Sequence, residues 1–241
     1  MSALPPVPPP PSGTKPTLDF ARGFRFVFDD PDWVKKMLIG GGMMLLSVLI
    51  IGSLWAMGYW VRLVRNVERG DERPLPEWDD LGGMLGDGAR AVGVYLAHFL
   101  VVAIPFGLLG LFLVLLGGGA AHMAGGSRDA GEAIGALAGI GAVALYGILW
   151  IVMLVLMLYV PSALTRFALA DRFGAGFEIG ENLGFIRRNL LNYFLALVLY
   201  LVASFVSQFG VILCCVGVFP LSFWALCLLG FGMGETARLD R

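Results

Sequence analysis

A chain of 241 residues with 58% hydrophobic and 15% charged side chains, and a mean hydropathy of +0.80, lies outside the composition of soluble globular domains. Seventeen Lys and Arg against eighteen Asp and Glu give a formal charge of −1, which excludes the basic surplus of a nucleic-acid binder and leaves no acidic tail. The apolar residues gather in uncharged blocks longer than a soluble helix needs, so composition and distribution both point to an integral membrane protein.

The first sixteen residues hold seven prolines, four of them consecutive from Pro8 to Pro11. They contain no apolar run that could serve as a cleavable signal peptide. Proline fixes φ and removes a backbone donor, so residues 1–16 are expected to form an extended, disordered tail with polyproline character. Residues 17–241 are expected to form one helical membrane domain.

Phe20, Phe24, Val27 and Phe28 recur at helical spacing, with Arg22, Arg25 and Asp29 between them, which predicts a short helix in the headgroup zone. Trp33, beside Lys35 and Lys36, is an anchor at the same boundary. Uncharged blocks then run over Met37–Val61, Ala91–Ser127, Ala133–Thr165 and Asn189–Gly234, lengths of 25, 37, 33 and 46 residues. A single helix over the last block would measure about 69 Å, more than twice a hydrocarbon core of roughly 30 Å. It is therefore expected to fold back between Gly210 and Pro220, giving about five transmembrane helices in an all-α bundle. Pro105 and Pro161 mark candidate bends in the second and third blocks, and Gly117–Glu132 a flexible connection between them.

Pro74-Leu75-Pro76-Glu77-Trp78-Asp79-Asp80 is the most distinctive polar stretch. Pro76 extends the backbone, Trp78 suits the headgroup level, and Asp79 or Asp80 can cap the helix that follows. Glu77 belongs to the same cluster. The stretch from Trp78 to Arg90 and that from Phe173 to Arg188 repeat the pattern of an aromatic and charged segment before an apolar block. Glu178, Glu181, Arg187 and Arg188 supply the charges of the latter, with contact to lipid headgroups as a second use.

Asp32-Trp33-Val34-Lys35-Lys36 leading into Ile39-Gly40-Gly41-Gly42, then Gly58-Tyr59 with Arg62, and Leu75-Pro76-Glu77-Trp78-Asp79-Asp80 with Asp87-Gly88 resemble a prokaryotic family of uncharacterised multi-pass membrane proteins, domain of unknown function 4013. The resemblance extends over most of Phe20 to Arg238 when the later hydrophobic pattern is included. It implies an all-helical membrane domain and brings no established active residues. The proline-rich tail lies outside it.

Glycines inside the blocks permit close helix approach, and Gly40, Gly41 and Gly42, with Gly135, Gly139 and Gly141, are the strongest packing candidates. The triplet at Gly40 lacks the Lys and Ser or Thr of a P-loop and the strand before a dinucleotide fingerprint. His98 and Gln208, with Tyr95, Tyr200, Ser204 and Ser207, are the main polar groups at membrane depth. Cys214, Cys215 and Cys227 all lie within apolar sequence and show no zinc spacing, so no metal or cofactor is expected.

With five crossings, eleven basic residues collect on one side and six on the other, which favours an external N-terminus but leaves the cluster from Lys15 to Lys36 outside. A re-entrant first block would instead bring all four basic clusters to one face. The abundant small-residue faces and missing reaction centre favour an accessory or structural component of a membrane assembly, partnered by membrane lipids and by a membrane protein or a second copy, in a prokaryotic cytoplasmic membrane. A small transporter or channel, using polar groups near Pro105, is the alternative, and a lipid-modifying enzyme stands third. A polar cavity reaching midmembrane favours transport, whereas a dry core with an exposed small-residue seam favours assembly.

Overall fold

The computed structural model describes residues 16–123, 128–212 and 216–241. The tail over 1–15, with Cys214 and Cys215, lies outside them. The described residues are mostly helical with no strand, an all-α bundle of eight α-helices: α1 (Phe20–Arg25), α2 (Trp33–Leu46), α3 (Ile51–Arg69), α4 (Leu81–Met123), α5 (Arg128–Ala170), α6 (Ile179–Arg188), α7 (Leu190–Gln208) and α8 (Val218–Arg238). Four helical stretches, Leu81–Leu115, Gly135–Ala170, Leu190–Ile212 and Val218–Arg238, are long and apolar enough to cross a membrane.

The first apolar block differs from the single crossing expected of it. Met37–Val61 is broken at a 3-10 turn over Ser47–Leu49, followed by Ile50 at φ 68°, a left-handed conformation that a β-branched residue adopts only under constraint. The Ser47 hydroxyl donates to the Met43 carbonyl at 3.0 Å. Gly52 then lies so close to the turn that a Cβ there would collide with the Met43 carbonyl. The chain therefore reverses, and α3 returns along α2 to the level at which α2 began. The tip residues Val48, Leu49 and Ile50 are exposed apolar side chains. This is a short helical hairpin, so the approach to Trp33 and the connection after α3 lie at the same end of it.

Behind this hairpin α8 fills the glycine notch of α2: a Cβ on Gly40 would enter the Phe223 ring, and one on Gly41 would meet Pro220. α3 crosses α4 with backbones almost touching, since a Cβ on Gly58 would strike the Met84 carbonyl and one on Gly88 the Leu54 carbonyl. α3 ends at Gly70, left-handed at φ 84°, whose N–H reaches the Asn66 and Val67 carbonyls. The last block folds back as expected, with α7 ending at Gln208 and α8 beginning at Val218.

Of the three expected interfacial helices, α1 is one, with Asp19 accepting from the Arg22 N–H at 3.0 Å. α6, after a 3-10 turn over Phe173–Phe177, is another. The stretch after Trp78 is not separate, because it forms the first turns of the 43-residue α4. α5 is equally long, and both run through the Gly117–Glu132 region expected to be a loop, apart from residues 124–127, which lie outside the description. Neither Pro105 nor Pro161 ends its helix. At Pro161 the disturbed ladder is mended from α7. The Tyr193 hydroxyl accepts from the Ser162 N–H at 3.1 Å and donates to the Leu158 carbonyl at 2.6 Å, standing in for the bond these two groups would make with each other.

Candidate functional site

Two features are built by this fold: an ionic layer at one end of the bundle and an apolar, largely unpartnered hairpin rising from it. The layer begins at Lys36, which α2 carries into the mouth of the re-entrant hairpin. It is 3% exposed, yet its ammonium meets the buried Asp30 carboxylate at 2.8 Å, Glu77 at 2.5 Å and the Leu75 carbonyl at 3.2 Å. Burial alone would lower its pKa; the two carboxylates outweigh this and hold it above the ordinary lysine value. Trp78 donates to the Lys36 carbonyl at 3.3 Å and stacks on Tyr59 with ring centres 4.7 Å apart. The Pro74–Asp80 stretch is thus a lid over the hairpin, with Pro76 buried beneath it and Asp79 exposed.

Asp80 caps α4, accepting from the Gly83 N–H at 2.9 Å, and pairs with Arg62 at 2.6 Å. Those two contacts lower its carboxyl pKa. Desolvation pulls the other way on Arg62, but Asp80 and Asp87 raise it overall. Asp87 also meets Arg90 at 2.6 Å and Arg65 at 3.5 Å, and both arginines continue to Asp171 at the end of α5. Three helices are thereby fastened at one level. Arg166 and Arg172 share Glu178, Arg188 reaches Asp240, Arg238 grips the buried Glu235, and Arg241 pairs with Glu68. Arg187 is exposed at the end of α6, and Trp33 meets Phe28 edge-on at 5.0 Å.

The intramembrane polar candidates face local partners. His98 donates through Nδ1 to the Val94 carbonyl at 2.8 Å and stacks on Phe177, while exposed Gln208 lies 3.5 Å from the Ser204 carbonyl. They are not brought together. Sequence reasoning placed Asn182 in the Phe173–Arg188 segment without a role; it is fully buried, donates through its side-chain amide to the Tyr159 hydroxyl and the Gly176 carbonyl, and accepts at its backbone carbonyl from the Ser162 hydroxyl. Its signal was an uncharged polar residue on the inner face of an amphipathic helix. A cleft of about 450 Å³ between the α4/α5 and α7/α8 hairpins is lined by apolar side chains such as Met57, Met157 and Leu197, and no charged residue reaches it.

Above the layer the hairpins diverge in length. From the level where Tyr193 meets Ser162, α7 has about 23 Å of helix left and α5 about 51 Å. The most apolar windows of α4 and α5 are 0% and 6% buried, against 56% for α8. On α5, Gly135, Gly139 and Gly141 have nothing among the described residues within 4 Å of a built Cβ, unlike Gly40 and Gly41; Gly42 is open as well.

Residues 42–216 match the family model described as Protein of unknown function (DUF4013). The chain belongs to this family. No curated protein and no solved structure matches it. The DUF4013 match takes in the hairpin tip, the lid, the Arg62–Asp80–Asp87 network and the α4/α5 hairpin. Lys36, Gly40 and Gly41, which carried part of the sequence resemblance, lie before its first residue, and α8 lies after its last.

Proposed function

We propose that this DUF4013 protein is an accessory or structural component of an assembly in a prokaryotic cytoplasmic membrane, with the outer face of α5 as its contact and a membrane protein or second copy as its partner. The observation that carries the reading is that the most apolar windows of α4 and α5 are 0% and 6% buried and that no described residue lies within 4 Å of a Cβ built on Gly135 or Gly139. In hydrocarbon, helices associate by close packing, and a Gly-x-x-x-Gly face lets two backbones approach. The cleft supports assembly over transport, since its lining is mainly aliphatic, with Trp60, Tyr95 and Tyr200 the side chains that bring a polar atom and no charged residue among those described. Fifteen of the seventeen Lys and Arg belong to the ionic end once the first block is re-entrant, and basic residues favour the cytoplasmic side.

Crosslinking and native mass spectrometry in nanodiscs test this. Wild type is expected to yield a crosslinked pair through α5, which Gly139→Leu removes without lowering the Tm of the monomer. Gly41→Leu, whose site is filled by Pro220, is expected to lower monomer stability instead. Uniformly monomeric wild type in its native membrane, with saturable movement of one solute after reconstitution, would sink the proposal.

A further inference from the structure

We infer that the cleft between the α4/α5 and α7/α8 hairpins holds one acyl chain of a bilayer phospholipid as an internal packing element. Its wall is drawn from α3, α4, α5, α7 and α8, four of which supply the apolar spans, so the cleft lies at hydrocarbon depth. Its floor is closed by Trp60, 1% exposed, and Leu164, which belong to the buried cluster beneath. Pro161 lies in the wall at the point where Tyr193 bridges α5 to α7, so the join between the hairpins is fixed just where the cleft begins.

The chemistry and size of the space select the occupant. At about 450 Å³ it falls within the usual range for ligand sites, roughly 300–1,000 Å³. A partner helix is about 10 Å across, much wider than a single acyl chain, and the cleft is walled by five helices of this chain. Met57, Met153 and Met157 line it with flexible thioethers that conform to an irregular chain. No charged group is present to meet a headgroup, so the phospholipid's polar end stays outside and only its hydrocarbon enters. Water release contributes nothing at this depth. The gain is dispersion, because an empty cleft leaves its lining atoms without partners on one side.

The full-length protein released from dioleoylphosphatidylcholine nanodiscs is expected to keep one phospholipid under gas-phase activation that strips all others. Met157→Trp and Leu197→Trp, which fill the space from opposite walls, should cut that adduct at least tenfold at wild-type elution and Tm. Val143→Trp, on the exposed outer face of α5, should leave it unchanged. No persistent adduct in wild type overturns the inference, as does equal retention in both filled variants, which identifies surrounding lipid only. A second protein chain lost on filling overturns it in favour of a protein occupant. A measurement on wild type alone is independent of how the variants fold: phosphatidylcholine with a diazirine midway along one chain should label peptides around Met157 and Leu197 over those around Val143, and even labelling overturns the assignment.

Discussion

The α2/α3 hairpin and the α4/α5 hairpin draw on the same small residue for opposite ends. In the first, Gly40, Gly41 and Gly58 mark places where Phe223, Pro220 and Met84 of the same chain come close, and Leu54 of this hairpin in turn meets Gly88 at the start of α4. In the second, Gly135 and Gly139 face open space along a helix that is nearly all exposed. Glycine content therefore reports close approach only after its neighbours are known. The closed hairpin carries the ionic layer; the open one carries surface still to be covered.

The largest expected effect lies in the closed region, at the Lys36 clamp. Lys36→Met removes the charge that compensates Asp30, itself 4% exposed, and leaves a buried carboxylate beside an apolar side chain. The loss expected is about 3 kcal/mol, the low end for breaking a buried pair, because Glu77 opens the clamp to solvent. Thermal unfolding in mild detergent reads it, and Lys36→Met combined with Asp30→Asn should recover part of the loss. No recovery in the double variant would show that the aliphatic stem of Lys36, and not its charge, holds the mouth closed.

Next in size is the crossing of α3 and α4. Gly88→Leu drives a side chain into the Leu54 carbonyl, a backbone atom that cannot rotate away, so a loss of about 2 kcal/mol and lower folded yield are expected. Gly139→Leu, the same chemical change in the open hairpin, should leave monomer Tm unaltered. Equal losses at both sites would erase the distinction between the two regions.

Apolar blocks, the fold-back after Gln208 and the capping role of the Asp79-Asp80 pair were legible because length, proline and short polar side chains act locally. The reversal within the first block was legible only as an alternative suggested by the basic clusters, and its position was not. Ser47 through Ile51 reads as ordinary apolar sequence, and its break goes with the close approach of Gly52 to Met43 and with α8 seating against Gly40 and Gly41, the latter a contact between residues far apart in sequence. The site was similarly divided. Trp78 and Asp80 stood out by type, whereas the binding of Lys36 to Glu77 and of three arginines to Asp87 needed the hairpin's return to bring them to one level. Once that return is granted, the basic cluster before Trp33 no longer conflicts with those after α3.

The smallest effect separates charge from capping at the edge of the closed region. Asp80 both caps α4 and pairs with Arg62, and those contacts hold its carboxyl below the ordinary value of 3.8. A carboxyl depressed in the folded state contributes its stability above the unfolded pKa and loses it as the pH falls through the folded one. Asparagine caps a helix about as well as aspartate but carries no charge, so Asp80→Asn removes the ionic part alone. A modest fall in Tm at pH 7 is expected, since Asp80 is 60% exposed and solvent screens the pair. The gap between wild type and Asp80→Asn should narrow as the pH falls below 3.8 and close below the depressed folded value, where the wild-type carboxyl is also neutral, and Asp80→Ala should retain a deficit there because it lacks the cap. A gap independent of pH would place the role of Asp80 in geometry alone, leaving Asp87 to hold Arg62 in the layer.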